Sequence, residues 1–111
     1  MSVEKIQKLA EKKNFKKIVT YVTSKKAEER AAAAAALGGA TSADDAVCNA
    51  LIAFLRDTDS SVCINAAKSL KTVNNKKAIE HLRHVVVNTK DAALREASAE
   101  SLAALVNHYR E

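Results

Sequence analysis

Proline is absent from this 111-residue sequence, and glycine occurs only twice, side by side at Gly38 and Gly39. A β-fold of this length needs many tight turns, and such turns draw on both residues. Their scarcity excludes it and leaves helices joined by short polar links. Tryptophan is missing and aromatic residues make up 4% of the chain, so a core has to be packed from small aliphatic side chains. Two cysteines, Cys48 and Cys63, are too few for a disulfide framework, and a reducing, cytoplasmic setting is the expectation. No apolar run reaches the roughly eighteen residues of a membrane span. The opening Met1-Ser2-Val3-Glu4-Lys5 lacks the apolar stretch and cleavage site of a secretory leader. Neither membrane association nor export is expected.

What is present points the same way. Alanine, leucine, lysine and glutamate dominate, and all four are good helix formers. The length fits one domain, expected over residues 1–111. The net charge of +5 is uneven: residues 1–26 hold eight lysines against two glutamates, while the rest holds ten basic and eleven acidic residues. The positive excess therefore lies wholly in the N-terminal part.

Apolar residues recur at helix period throughout. Val3, Ile6, Leu9 and Ala10 form a stripe opposite Lys5, Lys8 and Lys12, which predicts a helix over about residues 2–13. Phe15, Ile18, Val19 and Val22 stand at i, i+3, i+4 and i+7, the spacing of one buried helical face. Thr23-Ser24 is expected to end that helix and cap the next, the alanine-rich stretch from Ala27 to Leu37. Gly38-Gly39 is expected to close it as a left-handed C-cap. Thr41-Ser42-Ala43-Asp44-Asp45 and Asp57-Thr58-Asp59 each carry capping residues and acids suited to a helix start. Further apolar faces run through Val47–Leu55, Val62–Val73, Ile79–Val86 and Leu94–Tyr109. Seven helices with links of a few residues follow, and such short links make neighbours antiparallel.

The chain repeats itself. Segments 24–37, 57–70 and 89–102 align without gaps at offsets of 33 and 32 residues. Leu37, Leu70 and Leu102 coincide, as do Ala34, Ala67 and Ala99. Arg30 and Arg95 coincide with Cys63 between them, and Asp59 and Asp91 coincide with Lys26 in the first copy. Each segment follows an amphipathic helix, so the unit is a helix pair. Such units bury their apolar faces only against neighbours.

The stretches LRDTDSSVCINAAKSL and VNTKDAALREASAESL resemble the short HEAT-like repeats of bacteria, of the type also found in phycobilisome lyases. The shared pattern opens the second helix with Asp-x-x-Val-Arg and continues through alanines to leucine. Asp59/Val62 and Asp91/Leu94/Arg95 carry it here. The resemblance implies an all-α fold, a right-handed α-α superhelix of about seven helices. It would contain three HEAT-like pairs, over about 14–39, 42–74 and 76–109, plus an N-terminal capping helix. It also implies that the aspartate caps the second helix and bonds toward a neighbouring repeat, while the arginine braces the stack. Cys63 and Lys26, which depart from the pattern, are expected to weaken the ladder at their places.

Candidate sites are few. Lys5, Lys8, Lys12, Lys13, Lys16, Lys17, Lys25 and Lys26 form a candidate anion-binding patch; a solvated cap that keeps one end of the stack soluble explains them more simply. His81 and His84 lie one helical turn apart beside Glu80, but zinc needs three or four ligands and none completes the set. Cys48 and Cys63 read as small apolar fillers. A reactive thiol would need an adjacent base. Gly38-Gly39 matches no phosphate-loop pattern. Asp44-Asp45 and Asp57/Asp59 read as helix caps rather than an acid–base pair. No catalytic residue, metal or cofactor is expected. The candidate protein-binding surface is the concave face of the second helices: Glu28 beside Ala31 and Ala35, then Ser61, Asn65, Lys68 and Thr72, then Glu96 and Glu100. The expected role is a non-catalytic scaffold or adaptor that binds a protein or peptide. Nucleic acid held by the lysine-rich end is the alternative, and a lyase-like enzyme subunit comes third.

Overall fold

Among the described residues, seven α-helices account for most of the chain: α1 (Ser2–Glu11), α2 (Phe15–Ile18), α3 (Ala27–Ala36), α4 (Asp45–Phe54), α5 (Ser60–Thr72), α6 (Ala78–Asn88) and α7 (Ala92–Tyr109). The structure, a computed structural model, describes residues 2–41 and 43–110, and of Ser2 the backbone alone. Ser42, one of the expected capping residues, lies outside them. No strand occurs among the described residues.

The helices pair as expected and stack side by side. α4 packs on α5 and α6 on α7, while α3, α5 and α7 form one continuous layer and α2, α4 and α6 the other. The result is a short helical solenoid, 41 × 30 × 16 Å across. α1 lies against α3 and seals that end with Ile6, which is fully buried. Between the layers run Ile18, Leu37, Leu51, Phe54, Leu70, Leu82 and Leu105, all inaccessible to solvent. Alanines at 33, 34, 66 and 67 are buried among them. Their small side chains let the second helices approach closely.

Aspartates start three of these helices. Asp44 accepts from Val47 N, Asp59 from Ser61 N and Val62 N, and Asp91 from Ala93 N and Leu94 N, which satisfies N–H groups that a helix start leaves unpaired.

Three local expectations are corrected. The stretch after Asn14 is not one α-helix: a single α-turn over Phe15–Ile18 passes into a 3₁₀ turn over Val19–Thr23. Lys26, not Ser24, is the N-cap of α3, and it makes no side-chain cap bond; Ser24 Oγ instead accepts from Lys26 N and donates to Glu29. Gly38 and Gly39 form no left-handed cap. Neither has a positive φ, and they lie in a 3₁₀ turn over Leu37–Gly39. The left-handed position falls on Lys13 (φ 57°), at the end of α1. There Asn14 N donates to Leu9 O and Lys13 N to Ala10 O, the paired bonds that close a helix in a Schellman motif.

Candidate functional site

The layer of second helices is the surface to which the repeats contribute most regularly. Three polar side chains of α5 donate to main-chain oxygens of the preceding second helix. Asn65 Nδ2 reaches Ala31 O at 3.0 Å, Ser69 Oγ reaches Ala34 O at 2.6 Å, and Thr72 Oγ1 reaches Gly38 O at 2.8 Å. α7 repeats the central bond, Ser101 Oγ to Ala67 O at 2.6 Å. Ser69 and Ser101 are equivalent positions in the repeat, as are Ala34 and Ala67. Gly38 permits the approach. A Cβ there would lie 2.9 Å from Ser69 Oγ and 3.2 Å from Thr72 Oγ1.

A second ladder runs along the turns. Arg30 donates to Ser24 O, Cys63 Sγ to Asp57 O and Arg95 to Thr89 O, each to the carbonyl six residues earlier. Cys63 therefore keeps the local bond of the arginine it replaces, contrary to a simple weakening, although a thiol is a weak donor. What it gives up is the reach to the next repeat. Arg30 has that reach: its Nε lies 2.7 Å from Asp57 Oδ2, with the two side chains 15% and 10% exposed. Burial works against ionised Asp57, but the Arg30 hydrogen bond and the backbone N–H of Asp59 together outweigh it and hold its pKa below the ordinary value. Between the second and third repeats, Ser60 donates to Asp91 instead. That hydrogen bond comes first among the causes that lower the pKa of Asp91.

Between α3 and α5 this packing leaves a groove. One recess of about 300 Å³ is lined by Ala27, Glu28, Ala31, Asp59 and Ser61. A second of the same size is lined by Ala35, Gly38, Asn65, Lys68, Ser69 and Thr72. Five of the seven concave-face candidates, Glu28, Ser61, Asn65, Lys68 and Thr72, thus line one groove. Glu100 stands apart, joined to Lys71 at 2.8 Å, and Glu96 occupies the α7 position equivalent to Ile64, on an exposed side of α7. The sequence reading missed Gly38 and Ser69. The signal for Ser69 was present: Lys68-Ser69-Leu70 and Glu100-Ser101-Leu102 both place a serine before the aligned leucine.

All eight lysines of the anion-patch candidate are exposed, and they spread over α1, α2 and the links that follow each. Lys5 and Lys17 share a recess of about 240 Å³ with Leu9, Thr20 and Tyr21. Phe15, expected to be buried, is partly buried against the core and lines a recess beside Lys16 and Val19. Cys48 and Cys63 are buried and unpaired, and burial foremost pushes both thiols up. His84 meets Asn88. Among the described residues no three His, Cys, Asp or Glu side chains cluster as a metal site, and no helix is long and apolar enough to cross a membrane.

No curated protein matches the chain. The family model for HEAT repeats matches residues 15–103, a span that runs from α2 into α7 and leaves out α1. Proteins built of these repeats commonly act as protein-interaction scaffolds and are in general not enzymes. With its stacked helix pairs, its aspartate-capped second helices and this match over most of its length, the chain belongs to the HEAT-repeat family.

Proposed function

We propose that this chain is a non-catalytic scaffold, acting as one unit over residues 1–111, that binds a short segment of another protein along the groove between α3 and α5. The observation that carries this reading is the alignment of the two recesses end to end. From Ala27 to Gly38 the helical rise spans roughly 17 Å, the length of three helical turns or of about five extended residues. The floor is small and apolar. Glu28 and Asp59 stand at one end, and Lys68 stands toward the other. A segment with a basic residue at the first end and an acidic one at the second fits this pattern. The buried, unpaired cysteines support a reducing, cytoplasmic setting.

A second reading has its own observation. Partly buried aromatics stand beside lysines, Phe15 next to Lys16 and Tyr21 in the recess of Lys5 and Lys17, a pairing that suits nucleic acid. One experiment separates the two: capture from source lysate on the immobilised chain, with and without nuclease, followed by mass spectrometry. Ala35→Arg, at an exposed groove position, and a Lys5→Glu/Lys17→Glu chain serve as comparisons. The scaffold reading expects a protein that survives nuclease, is lost with Ala35→Arg and is kept by the lysine variant. Capture that vanishes with nuclease or with the lysine substitutions transfers the function to the N-terminal end.

A further inference from the structure

The groove between α3 and α5 has a direction as well as a shape. Asn65, Ser69 and Thr72 bond in turn to Ala31, Ala34 and Gly38. Residue numbers rise together, so the two helices run parallel. Their dipoles add, positive at the end of Ala27 and Ser61 and negative at the end of Gly38 and Thr72. Side-chain charge lies along the same axis. Glu28 and Asp59 line the recess at the first end, and Lys68 lines the recess toward the second. Among the described residues neither Glu28 nor Lys68 forms a salt bridge.

The groove has few main-chain partners to offer. Asn65, Ser69 and Thr72 turn donors onto α3, and the carbonyls at 31, 34 and 38 each take that bond. An extended segment brings an N–H and a C=O at every residue, and these need partners such as a strand edge. A helix arrives with its main chain already bonded within itself. The α3 wall suits such a visitor. Ala27, Ala31 and Ala35, with Gly38 just beyond the helix, carry nothing larger than a methyl group. A third helix can therefore settle close to both α3 and α5, within the roughly 8–10 Å at which helices pack.

We infer that the occupant of the groove is an amphipathic helix of the partner protein, lying antiparallel to α3 and α5 with about three turns in contact. It carries an acidic residue in its first turn, facing Lys68, and a basic residue in its last turn, facing Glu28 and Asp59. Small apolar residues lie between. The inference rests on the groove being the binding surface, and adds the conformation and polarity of what fills it. Two arguments fix the direction. In this orientation the acid and the base sit where the occupant's own dipole favours them. Its positive N-terminal end also lies over the negative ends of α3 and α5. Turned round, the same charge pairs would set a base at its N-terminus and an acid at its C-terminus, against its own dipole.

Selection from a display library of random segments of about fifteen residues, long enough for three turns with flanks, tests this. The chain is the bait and its Ala35→Arg variant the counter-bait. The expected survivors lose binding roughly tenfold or more on Ala35→Arg. They lack internal proline, repeat small apolar residues at helical steps, and carry acid before base. One survivor with a nitroxide at its N-terminus is expected to broaden amide signals of residues 68–72 and spare those around Glu28. Lys68→Glu is expected to weaken it by about tenfold, and lysine in place of its acid to recover the loss. Survivors that tolerate proline or alternate with period two overturn the helix. Base before acid, broadening around Glu28, or indifference to Lys68→Glu overturns the polarity. In each of these cases binding in the groove stands. No survivors, or survivors indifferent to Ala35→Arg, overturn the inference outright and leave the groove to be decided by the capture experiment alone.

Discussion

The hydroxyl of Ser69 donates to the carbonyl oxygen of Ala34 across the α3–α5 contact, 2.6 Å away and buried. Ser101 makes the same bond to Ala67 one repeat later. These bonds tie layers whose facing side chains are mostly alanine and offer little dispersion of their own. Ser69→Ala is expected to lower unfolding free energy by about 1 kcal/mol, and Ser101→Ala by a similar amount. The two bonds share no partner, so their losses are expected to add. Urea unfolding of the single and double variants reads this out, and an unchanged midpoint in both singles contradicts it.

Gly38 and Gly39 are adjacent yet expected to behave oppositely. A methyl at Gly38 meets Ser69 Oγ at 2.9 Å, and that oxygen is anchored to Ala34. Gly38→Ala is expected to cost about 1–3 kcal/mol through this crowding. At Gly39 the nearest atom is Phe15 Cζ at 3.5 Å, an ordinary contact, and φ is not positive. Gly39→Ala is expected to stabilise by about 0.4–1 kcal/mol, chiefly by restricting the unfolded chain. Thermal melts of the two variants should bracket the wild type, and the reverse order would show that the close approach at Gly38 is wrong.

Lys13 holds the left-handed position that closes α1, where glycine is the usual occupant because it has no Cβ. Lys13→Gly is expected to stabilise the N-terminal end by about 0.5–1 kcal/mol, whereas Lys13→Val, which is β-branched, is expected to destabilise it. Amide exchange in α1 localises either effect. Faster exchange in Lys13→Gly would remove the motif from the account.

Asp57 supplies a pH dependence with a definite sign. Its folded pKa lies below the ordinary value through Arg30 and the Asp59 N–H, despite burial. The stability it contributes is fully present above the unfolded pKa, near 4, and is lost as pH falls through the lower, folded value. Asp57→Asn is therefore expected to lower the melting temperature at pH 7, with the gap from wild type closing below about pH 4. A gap that holds steady to pH 2 would place the effect in packing rather than ionisation.

Much of the architecture was legible in the residues. Repetition of Ala34, Ala67 and Ala99, together with Leu37, Leu70 and Leu102, fixed the pairing of helices, because helix period and short links leave few ways to stack them. Asp44, Asp59 and Asp91 announced helix starts through a bond that closes within three residues. The expectations that failed were also local in form, but their causes were not. Gly38 looks like a helix stop, and only the position of α5 reveals that it makes room for Ser69. Ser24 looks like a cap, yet its hydroxyl is taken up by Glu29 and Lys26 N. Cys63 looks like a lost brace, yet its thiol still reaches Asp57 O.

The candidate groove divides along the same line. Glu28, Ser61, Asn65, Lys68 and Thr72 could be put on one face from helical phase alone. Glu96 and Glu100 could not, because phase says which way a side chain points and not whether a neighbouring helix lies there. Composition, period and repeat length determined helices, their number and their order, since these depend on contacts a few residues apart. Tertiary structure alone decided which alanine carbonyls receive hydroxyls from about 34 residues away and where the groove lies. Those features arise between helices, and no single stretch of chain encodes the distance between two of them.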